Sequence, residues 1–279
     1  MKLFGLIAVT MTAFAFNSIL NRLALSPGDT GPASYAAIRL TSGALMLMVL
    51  VAMRTQTRPQ LTRKAFWSAA NLTLYAIAFS FAYITLPTGA GALILFGGVQ
   101  VMAFAITLAK GHKIGTLSWL GAGLAFAGLC YLLWPDEAAS LNPVGAVLML
   151  AAALGWTLYT MAGAKNADPL GATTLAFVLS APIGILVWVF FPDSASLRGA
   201  SLAVLSGAVT SGIGYALWYK VLPSLSMPMA AVAQLTVPVI AALGGAVLLG
   251  EVLSLRFLFA TTLVLCGVGL TIYAQKRAA

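Results

Sequence analysis

Long apolar segments alternate with short polar breaks along the whole of this 279-residue chain. Each segment is apolar or small on every side over about 20 residues, the length with which a helix crosses the ~30 Å hydrocarbon core of a bilayer. Membrane-spanning β-strands would alternate apolar and polar residues, and stretches such as 241–249 show no such alternation. The pattern therefore predicts an all-α integral membrane protein with ten transmembrane helices. The predicted spans are 3–23, 33–53, 66–86, 88–109, 115–134, 142–163, 171–191, 199–221, 227–249 and 256–275.

Composition supports a membrane protein. Hydrophobic residues make up 61% of the chain and charged residues only 8%, and the mean hydropathy is +1.00. A water-soluble domain of this length needs far more polar surface than these residues provide. We therefore expect the lipid bilayer to surround the protein, with little sequence left for a soluble domain.

The charged residues divide unevenly between the loops on the two sides of the membrane. When the loops are assigned alternately, one side has eleven Lys and Arg residues and one acid, and the other has three Arg residues and five acids. The side rich in Lys and Arg is normally cytoplasmic, so both termini are predicted to be cytoplasmic. The basic residues are scattered at helix ends rather than gathered on a patch, which indicates topology signals and predicts no nucleic-acid partner.

The two halves of the chain resemble each other. When residue n is placed over residue n + 139, Gly111-His112-Lys113 falls on Gly250-Glu251-Val252, and the fourth and fifth spans align with the ninth and tenth. We therefore divide one transmembrane bundle into two five-helix repeats, residues 1–136 and 142–279. Because five is odd, the second repeat is inverted relative to the first. Inverted repeats are common in secondary transporters, where they expose one site to each side in turn, and a channel is the alternative.

Several of these features resemble one known family. The chain has ten short helices in two halves of five, an aromatic-rich first span, and a stretch from Pro238 to Gly250-Glu251 followed by a last helix that contains Gly267. In these respects it is similar to the EamA-type branch of the drug/metabolite transporter superfamily. The resemblance covers essentially the whole chain, although the first half has His112 where the second has Glu251.

The resemblance implies a central cavity lined by spans one to four and six to nine, with the fifth and tenth spans at the periphery. It also implies a bacterial inner-membrane protein that exports or equilibrates a small organic molecule. Neutral and aromatic amino acids are the substrates that we expect first. The alternatives are a multidrug or cation extruder, a channel and a membrane scaffold.

Two polar residues inside predicted spans are candidates for substrate binding, because polar side chains there are costly and usually face a cavity or another helix. Asn17, in the first span, is a candidate for hydrogen bonding to substrate, or for holding two helices together. Arg39, in the second span, has a planar guanidinium that can bind a substrate carboxylate. Alternatively, Arg39 extends to the outer surface and pairs with Asp29 or Glu251.

Two glutamines are further candidates for substrate binding. Gln100 lies in the fourth span and Gln234 in the ninth, each in an otherwise apolar helix. Gln234 precedes Pro238 by four residues, and the proline ring removes a backbone hydrogen bond and favours a kink. A bent helix beside an amide suits a binding position, whereas a hydrogen bond between helices is the alternative for both glutamines.

Aromatic pairs lie about one helical turn apart in three spans. They are Tyr75 with Phe79, Trp156 with Tyr159, and Tyr215 with Trp218. Such rings suit a cavity for flat or apolar side chains and can also hold a cation against their faces. Packing within the bundle, or anchoring at the membrane surface, is the alternative role.

Small residues are concentrated in the fifth and tenth spans, which predicts close helix packing there. This packing occurs either within one molecule or across a homodimer, and the sequence leaves both open.

Other classes of function lack the residues that they require. The chain has no phosphate-binding Gly-x-x-x-x-Gly-Lys-Ser/Thr loop, and its one histidine and two cysteines predict neither a metal site nor a nucleophile with a base. We therefore expect no enzyme activity, no cofactor and no metal. No Asp or Glu lies in the middle of a span, where proton relays usually need one, so we expect facilitated transport rather than strict coupling to protons.

Overall fold

The computed structural model of the protein describes residues 2–28, 30–53, 61–111, 115–134, 141–163, 168–225 and 233–278. Over these residues the regular secondary structure is helical, without strands, and the predicted all-α fold is confirmed. Nine helices of the described part are long and apolar enough to cross a membrane, and a tenth apolar helix is shorter. The helices are α1 (Lys2–Leu25), α2 (Pro32–Ala52), α3 (Arg63–Ala82), α4 (Thr88–Ala109), α5 (Thr116–Leu133), α6 (Pro143–Gly163), α7 (Pro169–Phe190), α8 (Leu197–Val221), α9 (Thr236–Leu249) and α10 (Leu255–Ala278).

Helix starts are marked by the residues that capping requires. α2, α6 and α7 each begin at a proline, whose missing N–H is no loss in the first turn. Thr62, Asp168 and Ser196 precede α3, α7 and α8, and each side chain accepts a hydrogen bond from the backbone N–H three residues further on. These local signals explain why the predicted spans agree with most of the observed helices.

Two helices differ from their predicted spans in shape. α3 ends at Ala82 rather than at residue 86, because residues 83–86 turn toward α4. α8 changes from α to π winding over Leu205–Ile213 and then returns to α winding. The apolar pattern does not distinguish the two windings, and the π segment was not predicted.

The predicted ninth span is interrupted. The chain turns at Leu235, and α9 begins at Thr236. Pro238 has no N–H to donate to the carbonyl of Gln234, so a continuous α-helix would lose a hydrogen bond at this point. Residues 226–232, which the predicted span includes, lie outside the described residues.

Contacts between the two halves are reciprocal. α1 packs against α8 and α9 of the second half, and α6 packs against α3 and α4 of the first. α2 packs against α7, α4 against α9, and α5 against α10. Exchanging the halves interchanges the contacts of α1 with those of α6, and it converts each of the other three contacts into itself. A pseudo-twofold relation between inverted repeats produces this pattern, and the repeat boundaries stay a prediction.

α5 and α10 form a peripheral pair that contacts the rest of the bundle mainly through α4. Gly121 and Gly267 bring the two backbones together, since a Cβ added at either position would collide with the backbone of the other helix. Arg256, at the start of α10, also donates hydrogen bonds of 3.0 and 2.8 Å to the carbonyl of Tyr131 near the end of α5. The small residues therefore pack the two helices within one molecule, and a homodimer stays a prediction.

Candidate functional site

An aromatic cluster occupies the middle of the bundle. Phe14 of α1, Tyr75 of α3, Trp156 of α6 and Tyr215 of α8 are all buried. The centroid of the Trp156 ring lies 5.0 Å from that of Tyr75, 5.1 Å from that of Tyr215 and 5.9 Å from that of Phe14. Rings at such distances attract each other in tilted or edge-to-face arrangements. The aromatic cluster therefore joins two helices of each half around one point.

Three more of the predicted aromatic residues pack against this cluster. Between ring centroids, the contacts are Phe79 with Tyr75 at 5.3 Å, Tyr159 with Trp156 at 5.7 Å, and Trp218 with Phe14 at 5.8 Å. Phe14 was not a predicted site residue. Its position three residues before Asn17, on the same helix face, was the signal that could have identified it.

Arg39 is buried beside the aromatic cluster, with 1% of its surface exposed. Its Nη2 donates to the hydroxyl of Tyr75 at 3.2 Å, and its Nε and Nη2 donate to Ser211 Oγ at 3.3 and 3.2 Å. Its guanidinium carbon lies 5.3 Å from the centroid of the Tyr75 ring and 5.0 Å from that of Phe79, within the range of cation–π attraction. Its Nη1 has no hydrogen-bond partner among the described residues.

No carboxylate of the described residues neutralises Arg39. The chain has six acidic residues, and none of the helices that the structure describes contains one. Glu251 lies 3.5 Å from Arg22 instead, so the predicted alternative that Arg39 reaches the surface and pairs with Glu251 is wrong. Asp29, the other partner considered, lies outside the described residues. A buried charge in a membrane helix is costly, and such residues usually have a function.

Asn17 connects α1 to the π segment of α8. Its Oδ1 accepts hydrogen bonds from the hydroxyls of Ser206, Thr210 and Ser211, at 2.9, 2.6 and 3.2 Å. Ser211 also accepts from Arg39, so Asn17 helps to orient the hydroxyl that holds the guanidinium. These three hydroxyl residues were not predicted. In an α-helix residue 211 would lie about 140° around the axis from residue 206. Only the π winding brings residues 206 and 211 onto the same side of the helix.

A small closed cavity lies between these side chains. Its volume is about 10 Å³, which is enough for roughly one water molecule. Helices α1, α3, α4, α6 and α8 line it, with Asn17, Tyr75, Phe79, Trp156 and Tyr215 among the lining residues. A molecule as large as an amino acid does not fit, so the bundle must open before such a substrate can enter.

The two predicted glutamines lie away from this cavity. Gln100 lines a separate cavity of about 20 Å³ between α4, α5 and α10. Gln234 is half-buried in the short helical stretch before α9, and it is not among the described residues that line the central cavity. The structure thus brings together Asn17, Arg39 and the six predicted aromatic residues, and it leaves both glutamines outside.

The two halves are joined at one end of the bundle. Glu251, in the loop between α9 and α10, accepts hydrogen bonds from the backbone N–H of Thr88 at 3.0 and 2.8 Å and from the Thr88 hydroxyl at 3.1 Å. Arg22 lies 3.5 Å from the same carboxylate and donates to the carbonyls of Tyr83 and Ile84 at 2.9 Å each. We call the contacts of Arg22 and Thr88 with Glu251 the Glu251 latch. The charge distribution predicts that this end faces outward.

Comparison with known proteins shows relatives over the whole chain. The profile of the EamA-like transporter family matches residues 143–273, from the start of α6 into α10. An uncharacterised protein of Pseudomonas aeruginosa is 45% identical over 95% of this chain and 92% of its own length. The uncharacterised transporter YwfM of Bacillus subtilis is 27% identical over 96% of this chain and 93% of its own length.

Two further comparisons cover nearly the full length. The aromatic amino acid exporter YddG of Escherichia coli K12 is 25% identical over 99% of this chain and 97% of its own length. A crystal structure of a protein with 18% identity superposes with a TM-score of 0.69 and covers 96% of this chain and 98% of that one. The similarity to this crystal structure concerns the fold alone.

Proposed function

The chain belongs to the EamA-like transporter family of the drug/metabolite transporter superfamily, and from that premise we propose that it is a secondary transporter of small organic carboxylates. Aromatic and neutral amino acids belong to this class of substrate. The protein exports or equilibrates them across the bacterial inner membrane by alternating access. Membership of a family of transporters also argues against an enzyme.

The observation that carries the proposal is the environment of Arg39. Within the described part of the chain, its buried guanidinium has two hydroxyl partners and an unpartnered Nη1, and the helices contribute no acid. A substrate carboxylate supplies the missing negative charge, and the planar guanidinium can hold it through two parallel hydrogen bonds. Binding of a carboxylate then offsets the free-energy cost of the buried, unpaired charge. This favours carboxylates over neutral or cationic molecules.

The aromatic cluster supports the proposal for the remainder of the substrate. Its rings form a buried, largely apolar surface that suits a flat or aliphatic side chain. The name of the relative YddG, an aromatic amino acid exporter, agrees with such a substrate. A cationic drug would place a second positive charge near Arg39, so extrusion of cations has less support.

Alternating access explains the closed cavity. The cavity lies where helices of both halves meet, and the contacts between the halves are reciprocal. Two similar halves can exchange conformations and so open one central site first to one side and then to the other. The described structure corresponds to a closed state in this cycle.

We propose that the substrate gradient itself drives transport. None of the described helices contains an Asp or Glu, and the one histidine, His112, is predicted at a helix end, so the described bundle offers no carboxylate for a proton relay. An uphill efflux from liposomes that collapses when a protonophore is added would contradict this.

We also propose that both termini are cytoplasmic, because Lys and Arg dominate the loops on their side. A protease site fused to either terminus should be cut in inside-out vesicles and protected in right-side-out vesicles. Cleavage of the terminal site only in right-side-out vesicles would mean that the termini face outward, opposite to the proposed topology.

Counterflow in liposomes that contain only this protein tests the proposed function. Labelled phenylalanine, leucine, a nucleotide-sugar and a quaternary-ammonium dye are offered in turn to the wild type and to Arg39→Ala and Trp156→Ala. We expect saturable exchange of the amino acids, lost in Arg39→Ala, and a larger loss for phenylalanine than for leucine in Trp156→Ala. Exchange of the dye alone would indicate a cation extruder, and exchange of none of the four would contradict the proposal.

A further inference from the structure

Two nitrogen donors beside the central cavity have no hydrogen-bond partner among the described residues. They are Nη1 of Arg39 and the indole Nε1 of Trp156, whose side chains are 1% and 5% exposed. Trp156 lines the cavity, and Arg39 lies against the rings of Tyr75 and Phe79, which also line it. Both nitrogens can only donate, so a ligand that satisfies them must present acceptor atoms. Carboxylate oxygens meet this requirement.

The hydroxyls of Ser18 and Tyr215, which line the cavity, can accept a hydrogen bond, but the described residues provide no anionic acceptor for a positively charged group at this place. The Oδ1 of Asn17 already accepts hydrogen bonds from three hydroxyls of α8. The hydroxyl of Tyr75 and that of Ser211 accept from Arg39. None of the described helices contains an acidic residue, and the three acids within the described residues lie at helix ends or in loops. The α-ammonium group of an amino acid would therefore lose its water without gaining an anionic partner.

The aromatic rings do not fully compensate for this loss. A ring face can attract a cation, but Arg39 already lies against the faces of Tyr75 and Phe79. An ammonium group beside the carboxylate that Arg39 binds would also be repelled by the guanidinium in a medium of low dielectric constant. Both effects act against a zwitterion and leave a simple carboxylate unaffected.

We infer that, within the carboxylates of the proposed function, the site selects monocarboxylates that carry no α-ammonium group over amino acids. The preferred substrate has one carboxylate, bound at Arg39, and an aromatic or aliphatic body, packed in the aromatic cluster. Because the site is positively charged and the ligand negatively charged, the complex is neutral. This inference rests on the proposed function and narrows its substrate class.

A set of three matched ligands tests the inference. Phenylalanine, 3-phenylpropionate, which lacks only the ammonium group, and phenethylamine, which lacks only the carboxylate, are titrated into the purified protein in lipid nanodiscs. Isothermal titration calorimetry measures each dissociation constant, and empty nanodiscs give the background from partition into lipid. We expect 3-phenylpropionate to bind at least about tenfold more tightly than phenylalanine, and phenethylamine to bind most weakly.

The outcomes separate this inference from the proposed function. Tighter binding of phenylalanine than of 3-phenylpropionate would overturn the inference and leave the proposed carboxylate transporter intact. If neither carboxylate binds, or if phenethylamine binds best, the proposed function fails as well.

A substitution in the cavity wall tests the inference independently, because it should shift the binding preference toward phenylalanine. Ser18 lines the cavity, and Ser18→Asp would make the charge of the site neutral. We expect Ser18→Asp to move the preference toward phenylalanine by about tenfold or more relative to Ser18→Asn, which has nearly the same shape and no charge. An equal preference in the two variants would mean that charge does not set the selectivity, and would overturn the inference even if both proteins bind more weakly than the wild type.

Discussion

In the proposed function, stability and substrate binding place opposite demands on Arg39. Its guanidinium is buried in the bundle with hydroxyl groups and ring faces as neighbours, and without an acid from any of the described helices. Hydroxyl partners reduce the cost of burying a charge but do not remove it. A residue that lowers the stability of the empty protein is retained where function requires it.

Arg39→Met is therefore expected to stabilise the protein while it abolishes transport. Methionine fills much of the volume without a charge, so we expect a gain of roughly 2 kcal/mol in the free energy of unfolding. Thermal unfolding in nanodiscs and counterflow of a labelled carboxylate measure the two effects.

Arg22→Met is the matched control for this prediction. Arg22 has an ion pair with Glu251 and two carbonyl acceptors, so its loss should lower the melting temperature. If Arg39→Met also lowers the melting temperature, Arg39 is a structural residue, and the argument from its unmatched charge fails.

At the scale of elements, the π segment of α8 determines the shape of the site. It presents the hydroxyls of Ser206, Thr210 and Ser211 together to Asn17, whereas α winding would turn Ser211 away from Ser206. Gly207 lies in the same segment, against the carbonyl of Arg39. The close approach of α8 to α2 and the position of Ser211, one of the partners of Arg39, therefore depend on the same nine residues.

Gly207→Ala is expected to reduce both folding and transport. The added Cβ would collide with the Arg39 carbonyl and with Ser42 Oγ, and backbone atoms cannot move aside as a flexible side chain does. We expect a loss of about 1–3 kcal/mol in stability and a transport rate at least about tenfold lower, measured by thermal unfolding and counterflow.

Gly269→Ala serves as the comparison in another membrane-spanning helix. A Cβ at Gly269 meets no atom within 4 Å, so this variant should keep the stability and transport of the wild type. Equal effects of the two substitutions would contradict a special role for the contact at Gly207.

At the scale of the whole molecule, acids of the second half cap helices of the first. Glu251 accepts from the backbone N–H of Thr88 at the start of α4, and Asp193 accepts from those of Ala33 and Ser34 at the start of α2, at 2.8 Å each. A carboxylate at a helix N-terminus is favoured by the unpaired N–H groups and by the helix dipole. These contacts cross between the halves, so opening this end of the bundle must break some of them.

Glu251→Ala is expected to favour opening at the end of the bundle that carries the Glu251 latch. The change removes the acceptor of Thr88 and the partner of Arg22, a loss of about 2 kcal/mol from the closed state. In a protein with Ser18→Cys and with both native cysteines replaced, a thiol reagent that cannot cross the membrane should label the cavity at least about tenfold faster.

Arg198→Ala tests whether any charge at this end has the same effect. Arg198 is exposed near the start of α8, and we expect its loss to leave the labelling rate unchanged. Unchanged labelling in Glu251→Ala would mean that the Glu251 latch does not hold this end closed.

The positions of the helices follow from the sequence, because the cost of exposing backbone groups to lipid acts on each segment separately. Nine of the ten predicted spans appear as long apolar helices in the described residues, and local caps such as Thr62 and Asp168 mark their starts. Asn17 and Arg39 were identified for a similar reason, since a polar side chain in an apolar segment is costly wherever it lies. Their partners could not be identified in this way.

Only the tertiary structure decided which side chains meet. Arg39 and Ser211 are 172 residues apart, and the pattern along either helix gives no information about the other. The same limit applies to Gln100, an amide in an apolar helix like Asn17, which the packing of α4 places beside α5 and α10. Hydrophobicity acts on each segment alone, so the sequence determines where the helices lie. The candidate site depends instead on how packed helices are rotated and wound relative to one another, and this arises only when the whole bundle forms.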